Sequence, residues 1–478
     1  MSCEPGATRN SQLTTHNYMK TPVIAVFDVG KTNKKLFLFD EHYKIVFERS
    51  ARFTETVDED GDPCENLASL RLSVFDSLHE VFRRPEFDIK AINFSTYGAS
   101  FVYIDEHGKP LAPLYNYLKP YPEALKEKFY HTYGGEEAFA LATASPVLGS
   151  LNSGMQLYRI KYEQPDLFRQ LYKALHLPQY MSFLISGKVY TDMTSIGCHT
   201  NLWDFKHNRY HEWVTKEGVL DKLAPIVSAD AVFPASFPGN NYAVGAGFHD
   251  SSAALIPYLV SFSKPFVLLS TGTWCISLNP FNEQALTVDD LRADCLCYIH
   301  YQGKPVKASR LFAGYEHEQQ MKRIAAHFNV SPARLKNIAY DTNVTEALRE
   351  RFKIEKKSTP QEQLAAFGQR ELTLFNSEIE AYHQLMIDLV EAQVSSTQLA
   401  IGNSRVKRLF VDGGFGKNVI YMNLLAEAFP QLEVFAASMA QATAIGTALA
   451  IHQSWNSLPF PNDIIELKYY APSHRKVS

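Results

Sequence analysis

The chain has 478 residues, 46% of them hydrophobic and 21% charged, and a formal net charge of −4. That length exceeds what one hydrophobic core organises, so two domains are expected. The balanced charge gives no basic surplus for nucleic acid or an anionic membrane surface, and no apolar run is long enough to span a bilayer.

Residues 1–20 are polar, lack the apolar core of a signal peptide and are expected to form a flexible leader, which suits a cytoplasmic protein. The six cysteines are scattered; only Cys295 and Cys297 lie close together, without a second pair to complete a zinc site. Packed, reduced thiols are the expectation.

The first informative stretch is VIAVFDVGKTNKKLFLF, Val23 to Phe39. Its GKT letters suggest a P-loop, but that loop needs a glycine five residues before Gly30, where Ala25 stands. A β-branched and aromatic run precedes Gly30 and an alternating run follows it, so the segment reads as strand, tight turn, strand. In such a hairpin Gly30 supplies the backbone freedom of the turn, its amides with Thr32 and Asn33 can face a phosphate, and Asp28 can face a metal ion. An ordinary hairpin with an idle polar tip fits the same residues.

Next comes a turn-rich patch, DEDGDP (Asp58 to Pro63), then ENLASLRLSVFDSLHEVF with helical apolar spacing. IKAINFSTYG reads as a strand, and SFVYIDEHGKPL as a hairpin turning at Glu106 to Lys109. The middle, about Glu123 to Pro225, is expected to be mostly helical, with a turn at ISGKVYTD.

In GFHDSSAALIPYL, Asp250 stands where an apolar helix begins. Aspartate is a favoured N-cap, so Asp250 can simply satisfy the first helical amides. A carboxylate there can also take a proton from an alcohol, and His249 can orient a hydroxyl or be merely packed. PFVLLSTGTWCISL, Pro265 to Leu278, then repeats the opening plan, with Ser270, Gly272 and Thr273 matching the first turn. The repetition predicts two similar domains, 21–244 and 245–478, whose hairpins face one polyphosphate across a cleft. RLFVDGGFGKNVIYMNLL gives strand, Gly413-Gly414 turn and helix; Val419 breaks the Rossmann fingerprint, yet bare backbone can receive a flat ring. A plain β-to-α turn is the alternative. AQATAIGTALAIH is a small-residue helix around Gly446, suited to close backbone packing.

These pieces, in this order, resemble the FGGY family of carbohydrate kinases, of the actin-like, ribonuclease-H-like superfamily, from about Val23 to about Pro472. The resemblance implies an α/β fold of two actin-like domains with a cleft between them. It puts Gly30, Thr32, Asn33 and Lys35 in the first phosphate motif and Ser270, Gly272 and Thr273 in the second, with Gly413, Gly414 and Asn418 at the adenosine. It makes Asp250 the catalytic base, and gives Mg2+ to Asp28 and Asp250, directly or through water. ATP and a small sugar are the implied partners, with a monomer or homodimer as the assembly.

Where pentulose and gluconate kinases of the family commonly carry Met-His-Gly and W-N-D-x-R, this chain reads Gly98-Ala99-Ser100 and Tyr115-Asn116-Tyr117-Leu118-Lys119. Tyr97, Gly98 and the pair His249-Asp250 are similar instead to the branch acting on L-rhamnulose and L-fuculose, which implies sugar contacts at Tyr97, Gly98, Ser100, Asn116, His249 and Asp250. Ser100 and Gln441 stand where that pattern has an aspartate and a glutamate. A kinase of a pentulose or glycerol, and a non-catalytic actin-like binding protein, are the competing expectations.

Overall fold

The computed structural model describes residues 20–472 apart from 32, 237–240, 353–358, 440 and 462. The leader, except Lys20, and Thr32 therefore lie outside the described residues.

Two mixed sheets organise the chain. In the first, β1 (Thr21–Val29) pairs antiparallel with β2 (Lys34–Asp40), which pairs with β3 (Ile45–Ala51). On its other side β1 runs parallel to β4 (Phe87–Thr96), followed by β5 (Ala243–Gly245). In the second, β6 (Phe266–Thr271) pairs antiparallel with β7 (Cys275–Asn279), while β8 (Cys295–Ile299) and β9 (Pro305–Leu311) extend that edge. Parallel strands β10 (Arg408–Gly413) and β11 (Glu433–Ser438) complete the other side. Each sheet is thus a central hairpin with antiparallel company on one flank and parallel company on the other.

The central strands carry unbroken apolar runs, Val23–Phe27 in β1 and Phe266–Leu269 in β6, because both faces are covered. In β1, Val23, Ala25 and Phe27 pack under α1 (Leu67–Phe82), whereas Ile24 and Val26 face Ala444 and Ala448. Those alanines belong to α6 (Ala442–Ala450), so the small-residue helix from the end of the chain covers the first sheet. Asn93 on β4 fixes it by donating to the Thr447 carbonyl, 2.9 Å. Helix α2 (Asp250–Ser261) lies between the sheets, with Ala253 and Ile256 toward the first, and Leu255 and Tyr258 toward the second. Glycine is required where these helices cross: a Cβ on Gly446 would sit 1.9 Å from the Ala253 carbonyl oxygen. The long α4 (Glu378–Ile401), with α3 (Ala313–His327) and α5 (Val419–Ala428), packs in one core over the far face of the second sheet.

The expected hairpin at Glu106 to Lys109 forms but is short. Its turn is closed by the Asp105 amide on the Lys109 carbonyl, the Asp105 carboxylate accepts from the amides of His107 and Lys109, and the Leu111 amide donates to the Tyr103 carbonyl. Phe101–Ile104 also takes Lys173–His176 as a longer antiparallel partner. The returning limb opens with Pro110, which cannot donate to a ladder. Cysteines 64, 198, 275, 295 and 297 are buried and free. Among the described residues, no helix is long and apolar enough to cross a membrane.

Candidate active site

Asp28 ends β1 beside the turn, and Ser95, its parallel neighbour on β4, donates to its carboxylate at 3.0 Å. Burial is the main cause that pushes the Asp28 carboxyl up to about 6; the Asp250 charge adds to it, and Ser95 and Lys35 oppose it. Gly30 closes the turn by donating to the Asn33 carbonyl, 2.9 Å. Gly30 itself does not take a positive φ, and a Cβ there would crowd the Asn33 oxygen at 3.3 Å. Asn33 accepts from Arg52 at 3.0 Å, and the Lys35 ammonium pairs with Glu48 at 2.8 Å, across the β2–β3 ladder. Lys31 holds Glu55 at 3.2 Å and stands over the rings of Tyr97 and Tyr117. Beneath them Glu65 is buried between the Lys34 ammonium, 2.7 Å, and the Tyr97 hydroxyl, 2.9 Å.

The second turn is closed by the Gly272 amide on the Trp274 carbonyl, 2.9 Å. A Cβ on Gly272 would meet nothing nearer than 3.8 Å, and one on Gly414 nothing within 4 Å. The fold itself leaves these two positions open, which is the condition for a ligand to approach backbone. Gly413 differs: φ is 93° and a Cβ would lie 2.0 Å from the Thr271 carbonyl oxygen, so chain geometry demands that glycine. The Tyr315 amide secures the Thr273 carbonyl at 3.2 Å. Ser270 is paired in register with Asp412, which accepts from the Tyr258 hydroxyl at 3.2 Å and the Gly413 amide at 2.7 Å. Asn418 caps α5 through the Tyr421 amide and donates to the Tyr382 hydroxyl, so its amide group is engaged within the protein.

Asp250 is the first residue of α2, and His249 occupies the N-cap position. The N-cap expectation for Asp250 is therefore corrected by one residue: its carboxylate accepts locally from the amide and hydroxyl of Ser251, at 2.6 and 3.2 Å. With 36% of its side chain open to the cleft, it is the accessible face of an otherwise dry corner. Burial pushes its carboxyl up to about 6, against the two Ser251 hydrogen bonds.

His249 is fully enclosed. Its Nε2 lies 3.2 Å from Asp250 Oδ1 and 3.0 Å from Cys198 Sγ, and its ring stacks on Tyr298. Burial lowers its pKa to about 3, so the imidazole is neutral and its Nε2 stands between the Cys198 thiol and the Asp250 carboxylate. Gly98 makes room for this ring, since a Cβ there would be 2.9 Å from His249 Cδ2. Ser100 is buried with its carbonyl taken by the Leu177 amide, and the Asn116 side chain caps its own turn at the Leu118 amide.

The structure thus brings Asp28, Gly30, Tyr97, Gly98, His249 and Asp250 to one corner. The motif reading missed Tyr117, close enough to Asp250 for the carboxylate charge to raise its phenol pKa along with burial. It also missed Lys31, Glu65 and Asp412. The acidic patch is a separate feature: Asp58, Asp60 and Asp62 surround the Lys119 ammonium at 2.5, 2.7 and 3.4 Å. That lysine satisfies the cluster internally and anchors the YNYLK segment. Asp28 and Asp250, whose charges interact at one corner, offer hard carboxylate oxygens of the kind a divalent cation takes.

Comparison with known proteins gives a family to this arrangement. Residues 23–247 match the N-terminal domain of the FGGY family of carbohydrate kinases, and residues 263–458 match the carbohydrate kinase FGGY C-terminal domain. Relatives include a rhamnulokinase of Halalkalibacterium halodurans, 24% identical over 52% of this chain and 54% of that protein. An L-fuculokinase of Salmonella typhi is 25% identical over 54% of this chain and 56% of its own. The chain spans about half the length of the curated relatives it matches. A carbohydrate kinase from Novosphingobium aromaticivorans has the same fold, with a TM-score of 0.76 at 23% identity over 95% of both chains. So does a ligand-bound xylulose kinase from Lactobacillus acidophilus, with a TM-score of 0.76 at 16% identity over 94% of both. With both halves of the chain matched, the chain belongs to the FGGY family of carbohydrate kinases.

Proposed function

We propose that this protein transfers the γ-phosphoryl group of ATP to the primary hydroxyl of a 6-deoxy-ketohexose such as L-rhamnulose or L-fuculose, giving the 1-phosphate. The observation that carries the reading is the corner where Asp250, open to the cleft and already partly desolvated, stands beside Asp28 at the tip of a phosphate-type hairpin. The relatives named rhamnulokinase and L-fuculokinase support the sugar class.

In this mechanism the sugar hydroxyl gives its proton to Asp250, its oxygen attacks the γ-phosphorus, and the bond to the leaving ADP oxygen breaks with its electron pair. His249 keeps the Asp250 carboxylate aimed through Nε2. The open backbone at Gly272, with Gly30, Thr32 and Thr273, clamps phosphate oxygens, and Gly414 receives the adenosine. Asp28 and Asp250 would hold Mg2+, which supplies charge neutralisation on the phosphates. Tyr97, Gly98, Ser100 and Asn116 shape the sugar side, Lys35 adds positive charge behind the first turn, and Ser270 and Asn418 support the nucleotide side. The functional halves are 21–244 and 245–478, working in the cytoplasm on small molecules, as a monomer or homodimer.

The test is ADP release by the purified protein with Mg2+ and ATP against L-rhamnulose, L-fuculose, D-xylulose, D-ribulose, gluconate and glycerol. Turnover highest with a 6-deoxy-ketose supports the reading. Preference for a pentulose or glycerol replaces the sugar assignment, and silence with every acceptor overturns the kinase assignment.

A further inference from the structure

The first phosphate hairpin carries Lys31, Lys34 and Lys35, and the structure uses them differently. Lys34 is buried and committed: its ammonium holds Glu65 at 2.7 Å and the Lys31 carbonyl at 2.9 Å. Lys35 is drawn to Glu48 across the β2–β3 ladder, at 2.8 Å. Lys31, next to Gly30 at the tip, stands instead over the rings of Tyr97 and Tyr117, its ammonium 5.8 and 5.9 Å from their centres.

Sheet register places the Tyr97 ring. Val29, the last residue of β1, and His249, the last of the short strand Phe248–His249, both lie opposite Thr96, the last residue of β4, and both strands run parallel to β4. Gly30, Tyr97 and Asp250 therefore leave the sheet side by side, Tyr97 in the middle, with neighbouring chains roughly 4.8 Å apart. The Tyr97 amide donates to the Val29 carbonyl at 3.1 Å, its hydroxyl donates to Glu65 at 2.9 Å, and the following Gly98 packs against the His249 ring. The ring under Lys31 is thus tied on one side to the phosphate turn and on the other to the residue before the base.

The present partner of Lys31 is weakly held. Glu55 lies 3.2 Å away with 52% of its side chain exposed, so water screens the pair and the contact contributes little. A terminal phosphoryl group offers more than one negative charge and several acceptor oxygens, to which an ammonium binds more strongly than to one solvated carboxylate.

We infer that Lys31 releases Glu55 and binds the γ-phosphoryl group of ATP, staying with it as it passes to the sugar oxygen. That role rests on the kinase reading. Lys31 forms no covalent bond and gives up no proton: the bond from phosphorus to the ADP oxygen breaks, the bond to the sugar oxygen forms, and the hydroxyl proton goes to Asp250. The lysine supplies a positive charge already in place where negative charge spreads over the oxygens of the group in transit.

The experiment measures binding of the non-hydrolysable analogue AMP-PNP and of ADP, each with Mg2+, by titration calorimetry, together with kcat for the best sugar acceptor, in wild type, Lys31→Met, Lys31→Arg and Glu55→Gln. Wild type should bind AMP-PNP roughly tenfold more tightly than ADP, whereas Lys31→Met should bind the two within about threefold and keep its affinity for ADP. Its kcat should fall by roughly 100-fold, and Lys31→Arg should restore part of it. Glu55→Gln should keep wild-type behaviour in both measurements. A lysine that serves only its ion pair would make Lys31→Met and Glu55→Gln alike, and that result overturns the inference while leaving the kinase in place. So does a preference for AMP-PNP that survives Lys31→Met or is absent from wild type. If wild type turns over no sugar, the kinase reading falls, and Lys31 is judged on the nucleotides alone: a preference lost in Lys31→Met keeps its contact with the terminal phosphoryl group, and an equal preference removes it.

Discussion

The two halves present the same backbone device with its acid on opposite strands. In the first, the carboxylate is on the hairpin strand and the hydroxyl on its parallel neighbour: Asp28 beside Ser95. In the second, the hydroxyl is on the hairpin strand and the carboxylate on the neighbour: Ser270 beside Asp412. Asp28 shares a corner with Asp250, whereas Asp412 is tied to the Tyr258 hydroxyl and the Gly413 amide. A duplicated fold therefore does not duplicate chemistry. One acid stands within reach of the Asp250 charge, and the other is consumed in joining helix α2 to the glycine pair.

The strongest way to break the comparison is at the base. Asp250→Asn should lower kcat by roughly 10³-fold or more while leaving ATP binding intact, as checked by ADP release and nucleotide titration. The same variant should melt higher above pH 6, because it removes a carboxylate whose folded pKa is raised to about 6. A raised acid pKa makes the folded state hold more protons than the unfolded state between about 4 and 6, so this gain should vanish below about pH 4. In wild type kcat/KM should climb as pH rises through about 6, as the carboxylate becomes able to accept a proton.

At the two acids, Asp28→Asn should raise the Mg2+ requirement and cut kcat/KM by roughly 10–100-fold. Asp412→Asn should cost about fivefold or less, since one hydrogen bond of each kind can persist. Equal effects at both positions would erase the asymmetry. A smaller effect separates fold from ligand at the glycines. Gly272→Ala meets no neighbour nearer than 3.8 Å, so its melting temperature should stay within about 2 °C while ATP affinity drops by roughly tenfold. Gly413→Ala should instead lower the melting temperature by several degrees, because its Cβ collides with the Thr271 carbonyl.

Much of this was legible where the cause is local. Strand alternation around Gly30 and Gly272 marks both hairpins, and the apolar run after Asp250 marks the helix, since neighbours in sequence settle those conformations. The misses have distant causes. Beyond its short local hairpin, Phe101–Ile104 has a second and longer partner some seventy residues on, at Lys173–His176. Lys119 fills an acidic ring from a different segment, and Asp412 meets Tyr258 across the chain. The glycines illustrate the same limit. Gly30 and Gly413 look alike as turn residues, but only Gly413 has a positive φ, and nothing in the letters distinguishes them.

The crossing of α2 and α6 has a mechanical consequence. Gly446 meets Ala253, three residues after Asp250, so the closest backbone contact of these two second-half helices sits roughly 4.5 Å along the helix from the base. On so short a lever arm, a rotation of about 10° swings the base by only about 1 Å. A small rocking of one helix on the other therefore leaves the carboxylate almost where it was.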